Sequence, residues 1–97
     1  MDENVLITEE RVMKYISITL QARKKATPNN LSKIDLERLG SMMRMCDDYY
    51  SDAKYFLENG DLVRAFGAIN YSHAWIDAAV KIGLMDGHGD DVLFTLP

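Results

Sequence analysis

The sequence predicts an all-α fold, an antiparallel three-helix bundle followed by a short non-helical C-terminal tail over residues 84–97. Three observations predict it. Apolar residues recur at intervals of three or four in three long segments, as they do on the buried face of a helix. The prolines, Pro28 and Pro97, leave the chain between them without a helix breaker of this type. Turn-forming residues separate the segments at two places, so the links between the helices are short.

Length and composition indicate one globular domain over residues 1–97. Its content of 47% hydrophobic and 27% charged residues is ordinary for globular proteins. A net charge of −4 argues against binding nucleic acid through its phosphates, and no segment approaches the ~20 apolar residues that span a bilayer. The acidic start at residues 1–4 is unlike a signal peptide, and the single cysteine, Cys46, fits a reducing compartment. We therefore expect a cytoplasmic protein with no nucleic-acid or membrane partner and no cofactor.

The first helix is predicted over residues 8–26. Thr8 is a suitable N-cap, and the two glutamates that follow it favour the positive end of the helix dipole. Pro28 ends the helix, because proline disfavours helical geometry in the residue before it. The basic run at residues 23–25 is interpreted as the cationic last turn of this helix rather than as a nucleic-acid site.

The second helix is predicted over residues 32–59, with Ser32 as its N-cap. Its apolar residues are spaced alternately by three and four, which is typical of a helix with one buried seam. Gly40 is the weak point of this helix, where a kink or a restart costs least. The predicted seam consists of Leu36, Leu39, Met43, Cys46, Tyr50, Ala53 and Leu57.

The third helix is predicted over residues 62–82, directly after a tight link at Asn59, Gly60 and Asp61. Gly60 can take the left-handed conformation that ends a helix, and Asp61 can cap the next one. The second and third helices are therefore predicted to form an antiparallel hairpin. The third helix has two apolar faces, so it is either central or covered by another surface. The second of these faces comprises Tyr71, Trp75, Ala78 and Ile82.

Four stretches in the second half of the chain form a distinctive pattern. They are YYSDAKYFLENGD at residues 49–61, RAF at 64–66, AINYSHAWIDA at 68–78 and Gly-Leu at 83–84. These stretches resemble an archaeal family catalogued as domain of unknown function 357. Ser72 is a departure from the family pattern, in which a small Ala is more usual. The resemblance implies a short, archaeal, cytoplasmic three-helix bundle, and some family members are attached to nucleotidyltransferase-like domains. It implies no activity, because none is established for the family.

One edge of the third helix carries Asn70, His73 and Asp77, a spacing that aligns side chains along a helix. Asp77 is expected to accept a hydrogen bond from His73 and so to fix its tautomer, an arrangement that suits a general base or a metal ligand. The structural interpretation is that His73 lies at the rim of the core. No nucleophile accompanies it at a suitable spacing, and the second histidine, His88, lies in the tail, so the structural interpretation is favoured. The edge is kept as a candidate binding site, and no catalytic or metal-ligating residue is assigned.

Acidic residues elsewhere are interpreted as solvated. Asp47, Asp48 and Asp52 fall on the same side of the second helix as Arg44, away from the apolar seam. The acidic, glycine-containing stretch at residues 86–91 could clasp a divalent ion, yet its spacing does not match an EF-hand loop.

The remaining candidate is a surface formed by Tyr71, Trp75 and Ile82, since Trp and Tyr dominate interface energetics. The competing interpretation is that the first helix or the tail at residues 92–94 covers these side chains as core. The sequence thus favours a non-enzymatic interaction module that forms a homodimer or docks on a protein partner, such as a nucleotidyltransferase-like enzyme. The alternatives are a small-molecule or nucleotide binder and a helical nuclease-like enzyme, both using the edge with His73.

Overall fold

Three helices and one two-residue strand pair make up the structure, a computed structural model that describes residues 6–97. The acidic start at residues 1–4 lies outside the described residues. The prediction of three helices packed together is confirmed, and each boundary falls within two residues of the predicted one. The elements in chain order are α1 (Glu9–Lys25), β1 (Thr27–Pro28), α2 (Lys33–Glu58), α3 (Leu62–Lys81) and β2 (Met85–Asp86).

The helices begin where the sequence places their caps. The side chains of Thr8, Ser32 and Asp61 each accept a hydrogen bond from the backbone N–H three residues further on, at 3.1, 3.2 and 3.1 Å. Such caps satisfy backbone donors that have no partner inside the helix. The predicted N-caps are therefore confirmed for all three helices.

The link between α2 and α3 has the predicted left-handed glycine. Gly60 has φ of 74°, and the N–H of Asp61 donates to the carbonyl of Phe56 at 2.9 Å, which closes the end of α2. Gly40, by contrast, lies inside the continuous helix α2, and no atom lies within 4 Å of the position that a Cβ would take. No restart occurs there, because the α2 seam continues to pack on both sides of this solvent-facing glycine.

The core lies along α3, which packs against α2 over most of its length and against α1 on another side. Four residues of the predicted α2 seam are buried, and Tyr50 and Leu57 are half-buried. The prediction that Leu36 belongs to the core is wrong, since its side chain is exposed. The contact of Cys46 with Ser72 sets a register that places Leu36 beyond Lys81, where α3 has ended. The buried α3 residues are Ala65, Ala68, Ile69, Ser72, Ile76, Ala79 and Val80.

The tail folds back onto the bundle. Leu93 and Phe94 are buried, whereas Val92 is 89% exposed. β1 and β2 pair antiparallel, and the side-chain amide of Asn29 donates to the carbonyl of Gly83 at 2.9 Å, so the two links at this end of the bundle are tied together. This pairing was not predicted, because two-residue strands carry no periodic signal. Within residues 6–97, no helix is long and apolar enough to cross a membrane.

Candidate functional site

The imidazole of His73 is held by two partners that are distant in sequence. Its Nδ1 lies 3.1 Å from the hydroxyl of Thr19 in α1, and its Nε2 lies 2.9 Å from the carbonyl oxygen of Leu93 in the tail. A carbonyl only accepts, so Nε2 carries a proton, and in the neutral ring Nδ1 accepts from the Thr19 hydroxyl. The expected hydrogen bond to Asp77 is wrong: the ring nitrogens of His73 bind Thr19 and Leu93 instead, and the tail rather than a carboxylate fixes the tautomer.

Asp77 and Lys81 continue the same stripe of α3 at four-residue intervals. The carboxylate of Asp77 accepts the backbone N–H of Thr95 at 2.5 Å, and Nζ of Lys81 donates to the carbonyl of Leu96 at 2.9 Å. With His73, this stripe binds three backbone groups of the tail. The polar edge of α3 therefore anchors the extended tail segment to the bundle.

A cleft of about 390 Å³ lies beside this anchor, between α1, α3 and the tail. The structure brings together here the three polar residues predicted for the edge: His73, Asp77 and Asn70, which is exposed. The other walls are mostly apolar, as in many small-molecule sites. The full lining is Tyr15, Ile18, Thr19, Ile69, Asn70, His73, Ala74, Asp77 and Val92.

The second predicted surface lies on the opposite side of α3. Tyr71 is 45% exposed, Ile82 is 65% exposed, and Trp75 is half-buried against the core. Tyr49 of α2 extends it, because its ring meets that of Tyr71 edge to face at 4.5 Å. We call Tyr49, Tyr71, Trp75 and Ile82 the aromatic face. At 100° per residue, Tyr71 and Trp75 both point about 160° away from His73, so α1 does not cover them.

The side chain of Trp75 lies partly in the core and partly at the surface. Its ring meets Tyr71 at 5.9 Å and 76°, yet its Nε1–H is buried and has no hydrogen-bond partner within residues 6–97. A buried donor without a partner costs about 1–3 kcal/mol. Such a group is unusual in a native structure, and here it lies beneath the aromatic face.

The basic run of α1 at residues 23–25 forms ion pairs that were not predicted from the sequence. Arg23 binds both carboxylate oxygens of Asp47 in α2, at 2.8 and 3.2 Å, and Lys25 binds Asp90 in the tail at 2.9 Å. The hydrogen bond to Asp47 raises the pKa of Arg23, and the hydrogen bonds from Lys25 and from the N–H of Leu93 lower the pKa of Asp90. The run thus fixes α1 to α2 and to the tail, beyond its favourable interaction with the helix dipole.

Cys46 and Ser72 form a buried polar contact between α2 and α3. The Ser72 hydroxyl donates to the backbone carbonyl of Cys46 at 2.6 Å and lies 3.6 Å from its thiol. Burial raises the pKa of the Cys46 thiol, so it stays protonated and unreactive at neutral pH. Among residues 6–97, no group of three His, Cys, Asp or Glu side chains is placed to hold a metal ion.

Comparison with family models places residues 14–85 in a family described as a protein of unknown function, DUF357. The chain belongs to the DUF357 family. The resemblance seen in the second half of the sequence is thereby confirmed and extends into α1. Comparisons with curated proteins and with solved structures gave no match.

The DUF357 match contains all of the predicted binding residues but ends before the segment that binds some of them. Leu93 and Thr95, which bind His73 and Asp77, lie beyond the last matched residue, Met85. The four residues of the aromatic face all lie inside the match. The two candidate surfaces therefore differ in how they relate to the family region of the chain.

Proposed function

We propose that this DUF357 chain is a non-enzymatic interaction module that self-associates through the aromatic face. The observation that carries the proposal is the exposure of Tyr71 (45%) and Ile82 (65%), two large side chains that lie beside the half-buried Trp75 ring. Trp and Tyr are the residues most enriched at binding hot spots, because they bury large areas and retain a polar group.

The side of the α2–α3 hairpin that carries the aromatic face is large enough for a dimer. α3 has 20 residues and is about 30 Å long, and two packed helices are about 10 Å apart. The side of the α2–α3 hairpin that α1 leaves uncovered thus offers roughly 600 Å² per copy. Two such surfaces exceed the ~1,000 Å² in total that a specific interface needs.

The charges at the two ends of the face are compatible with a second copy as the partner. Arg64 and Arg38 lie seven and eleven residues before Tyr71 and Tyr49, spacings that keep side chains on one helix face. Each arginine is neutralised within its own chain, Arg64 by Asp61 at 3.5 Å and Arg38 by an aspartate three residues earlier at 3.3 Å. Two copies packed antiparallel would therefore bring neutral ion pairs together at each end, without like-charge repulsion.

The nuclease-like alternative finds no support in this geometry. Arg64 and His73 are nine residues apart in α3, so their side chains point to opposite sides of the helix. Arg64 binds Asp61, and both ring nitrogens of His73 are occupied by Thr19 and Leu93. Two groups arranged in this way cannot act on one phosphate.

The experiment is sedimentation equilibrium on the full chain, compared with the variants Tyr71→Ala and Ile82→Lys. We expect the wild type to have twice the monomer mass at micromolar concentration and both variants to be monomers with unchanged helical content. Tyr55→Ala is the matched control, because Tyr55 is 62% exposed on α2 and lies outside the aromatic face. A wild type that stays monomeric up to about 1 mM would contradict self-association, and a stable complex with another protein that Tyr71→Ala abolishes would assign the face to that partner.

A further inference from the structure

Asp77 is a half-buried carboxylate without a cation. One of its oxygens accepts the N–H of Thr95, and within residues 6–97 no Lys, Arg or His nitrogen lies within 4 Å of either oxygen. The other half-buried aspartates, Asp35, Asp61 and Asp90, each have a basic partner. The nearest lysine along α3, Lys81, donates to a tail carbonyl instead. Asp77 therefore presents one negatively charged acceptor to the cleft.

The walls of the cleft suit an apolar body. Ile69 and Ala74 of α3 and Ile18 of α1 contribute to its lining. Val92, although 89% exposed, is held in place because its N–H donates to the carboxylate of Asp90 at 3.0 Å. A ligand in the cleft would cover this valine, and burying apolar area is worth about 25 cal/mol per Å².

Asn70 marks the other end of the cleft. It lies seven residues before Asp77 in α3, which is about 10 Å along the helix axis. Its side-chain amide is exposed and offers both a donor and an acceptor. The polar groups of the cleft thus stand at its two ends, with apolar side chains between them.

We infer that this cleft binds an elongated primary amine, with its ammonium group on Asp77, its apolar body against Val92 and a hydroxyl or similar group on Asn70. A guanidinium fits less well, because it binds a carboxylate best through both oxygens and one oxygen of Asp77 is already bonded to Thr95. The inference concerns a different surface from the aromatic face and does not depend on self-association.

The test is a titration of the ¹⁵N-labelled full chain with tyramine, in which the amide chemical shifts of Asn70 and Ala74 are monitored in NMR spectra. Tyrosol, which has a hydroxyl in place of the ammonium group, is the matched neutral probe. We expect saturable shifts with tyramine at a Kd of about 1 mM or tighter and binding of tyrosol at least tenfold weaker.

Asp77→Asn is the decisive variant, because its amide oxygen can still accept the N–H of Thr95 while the charge is lost. It should weaken tyramine binding at least tenfold and leave the tail in place, as judged by unchanged amide shifts of Leu93 and Phe94, which do not bond to Asp77. Asp91→Asn, which removes the same charge from an exposed carboxylate, is the control and should bind tyramine like the wild type. Equal binding of tyramine and tyrosol, equal binding by Asp77→Asn, or no saturable shift up to about 10 mM would overturn the inference.

Discussion

The side chains on the two sides of α3 differ in their hydrogen bonding and in their exposure. On the side facing α1, His73, Asp77 and Lys81 bind backbone groups of the tail, and the segment that they hold buries Leu93 and Phe94. On the other side, the aromatic rings are half-exposed, and the buried indole N–H of Trp75 finds no hydrogen-bond partner in the described part of the chain, residues 6–97. The polar edge of α3 thus holds the tail against the bundle, whereas the aromatic face of the same helix stays partly exposed.

Among the substitutions that test this comparison, Phe94→Ala should have the largest effect on the free energy of unfolding. Phe94 is 4% exposed, and its ring lies so close to Gly87 that a Cβ there would be 2.8 Å away. Removing it leaves a cavity, so we expect a loss of about 3–5 kcal/mol in the free energy of unfolding, measured by urea denaturation. Val92→Ala, two residues earlier and exposed, should change stability by less than about 0.5 kcal/mol. A small effect of Phe94→Ala would show that the tail only rests on the bundle.

His73→Ala should have the next largest effect. It removes hydrogen bonds to Thr19 and Leu93, and it leaves the hydroxyl of Thr19, which is 2% exposed, without a partner. We expect a loss of about 2 kcal/mol in the same measurement. His88→Ala removes an imidazole whose two partners, the Thr27 hydroxyl and the Asp86 carboxylate, are exposed, so this control should cost less. If both variants lose the same stability, His73 does not anchor the tail.

On the aromatic face, Trp75→Phe should change little. The substitution removes some apolar area, but it also removes the buried N–H that lacks a partner, and the two effects oppose each other. We expect the free energy of unfolding to stay within about 1 kcal/mol of the wild type. A loss as large as that of His73→Ala would mean that Trp75 is core, and the comparison between the two sides of α3 would no longer hold.

The helices were predictable because their signals are local. Thr8, Ser32 and Asp61 cap the helices they immediately precede, and Gly60 ends α2 through its own conformation. The family pattern added the same boundaries at the α2–α3 link. Helical spacing also placed Tyr71 and Ile82 on one exposed face.

The partners of the polar edge were not predictable in the same way. His73 binds the backbone carbonyl of Leu93, 20 residues away, and a backbone carbonyl is present at every position of the chain. The sequence spacing offered only the nearest candidate, Asp77, one turn along the helix. The pairing of Arg23 with Asp47 was likewise missed, because it depends on how α1 is rotated against α2.

The smallest predicted effect concerns the acid side of the stability curve. Lys25 and the N–H of Leu93 lower the pKa of Asp90 in the folded chain, so its carboxylate contributes stability above the ordinary aspartate pKa and loses it as the pH falls through the lower folded value. Asp90→Asn should therefore lower the melting temperature slightly at pH 7 and flatten its decline below about pH 4. Asp91→Asn, at an exposed residue, should follow the wild-type curve. If Asp90→Asn also follows it, the ion pair with Lys25 adds nothing to the fold, and the tail is held by His73, Asp77 and its buried side chains alone.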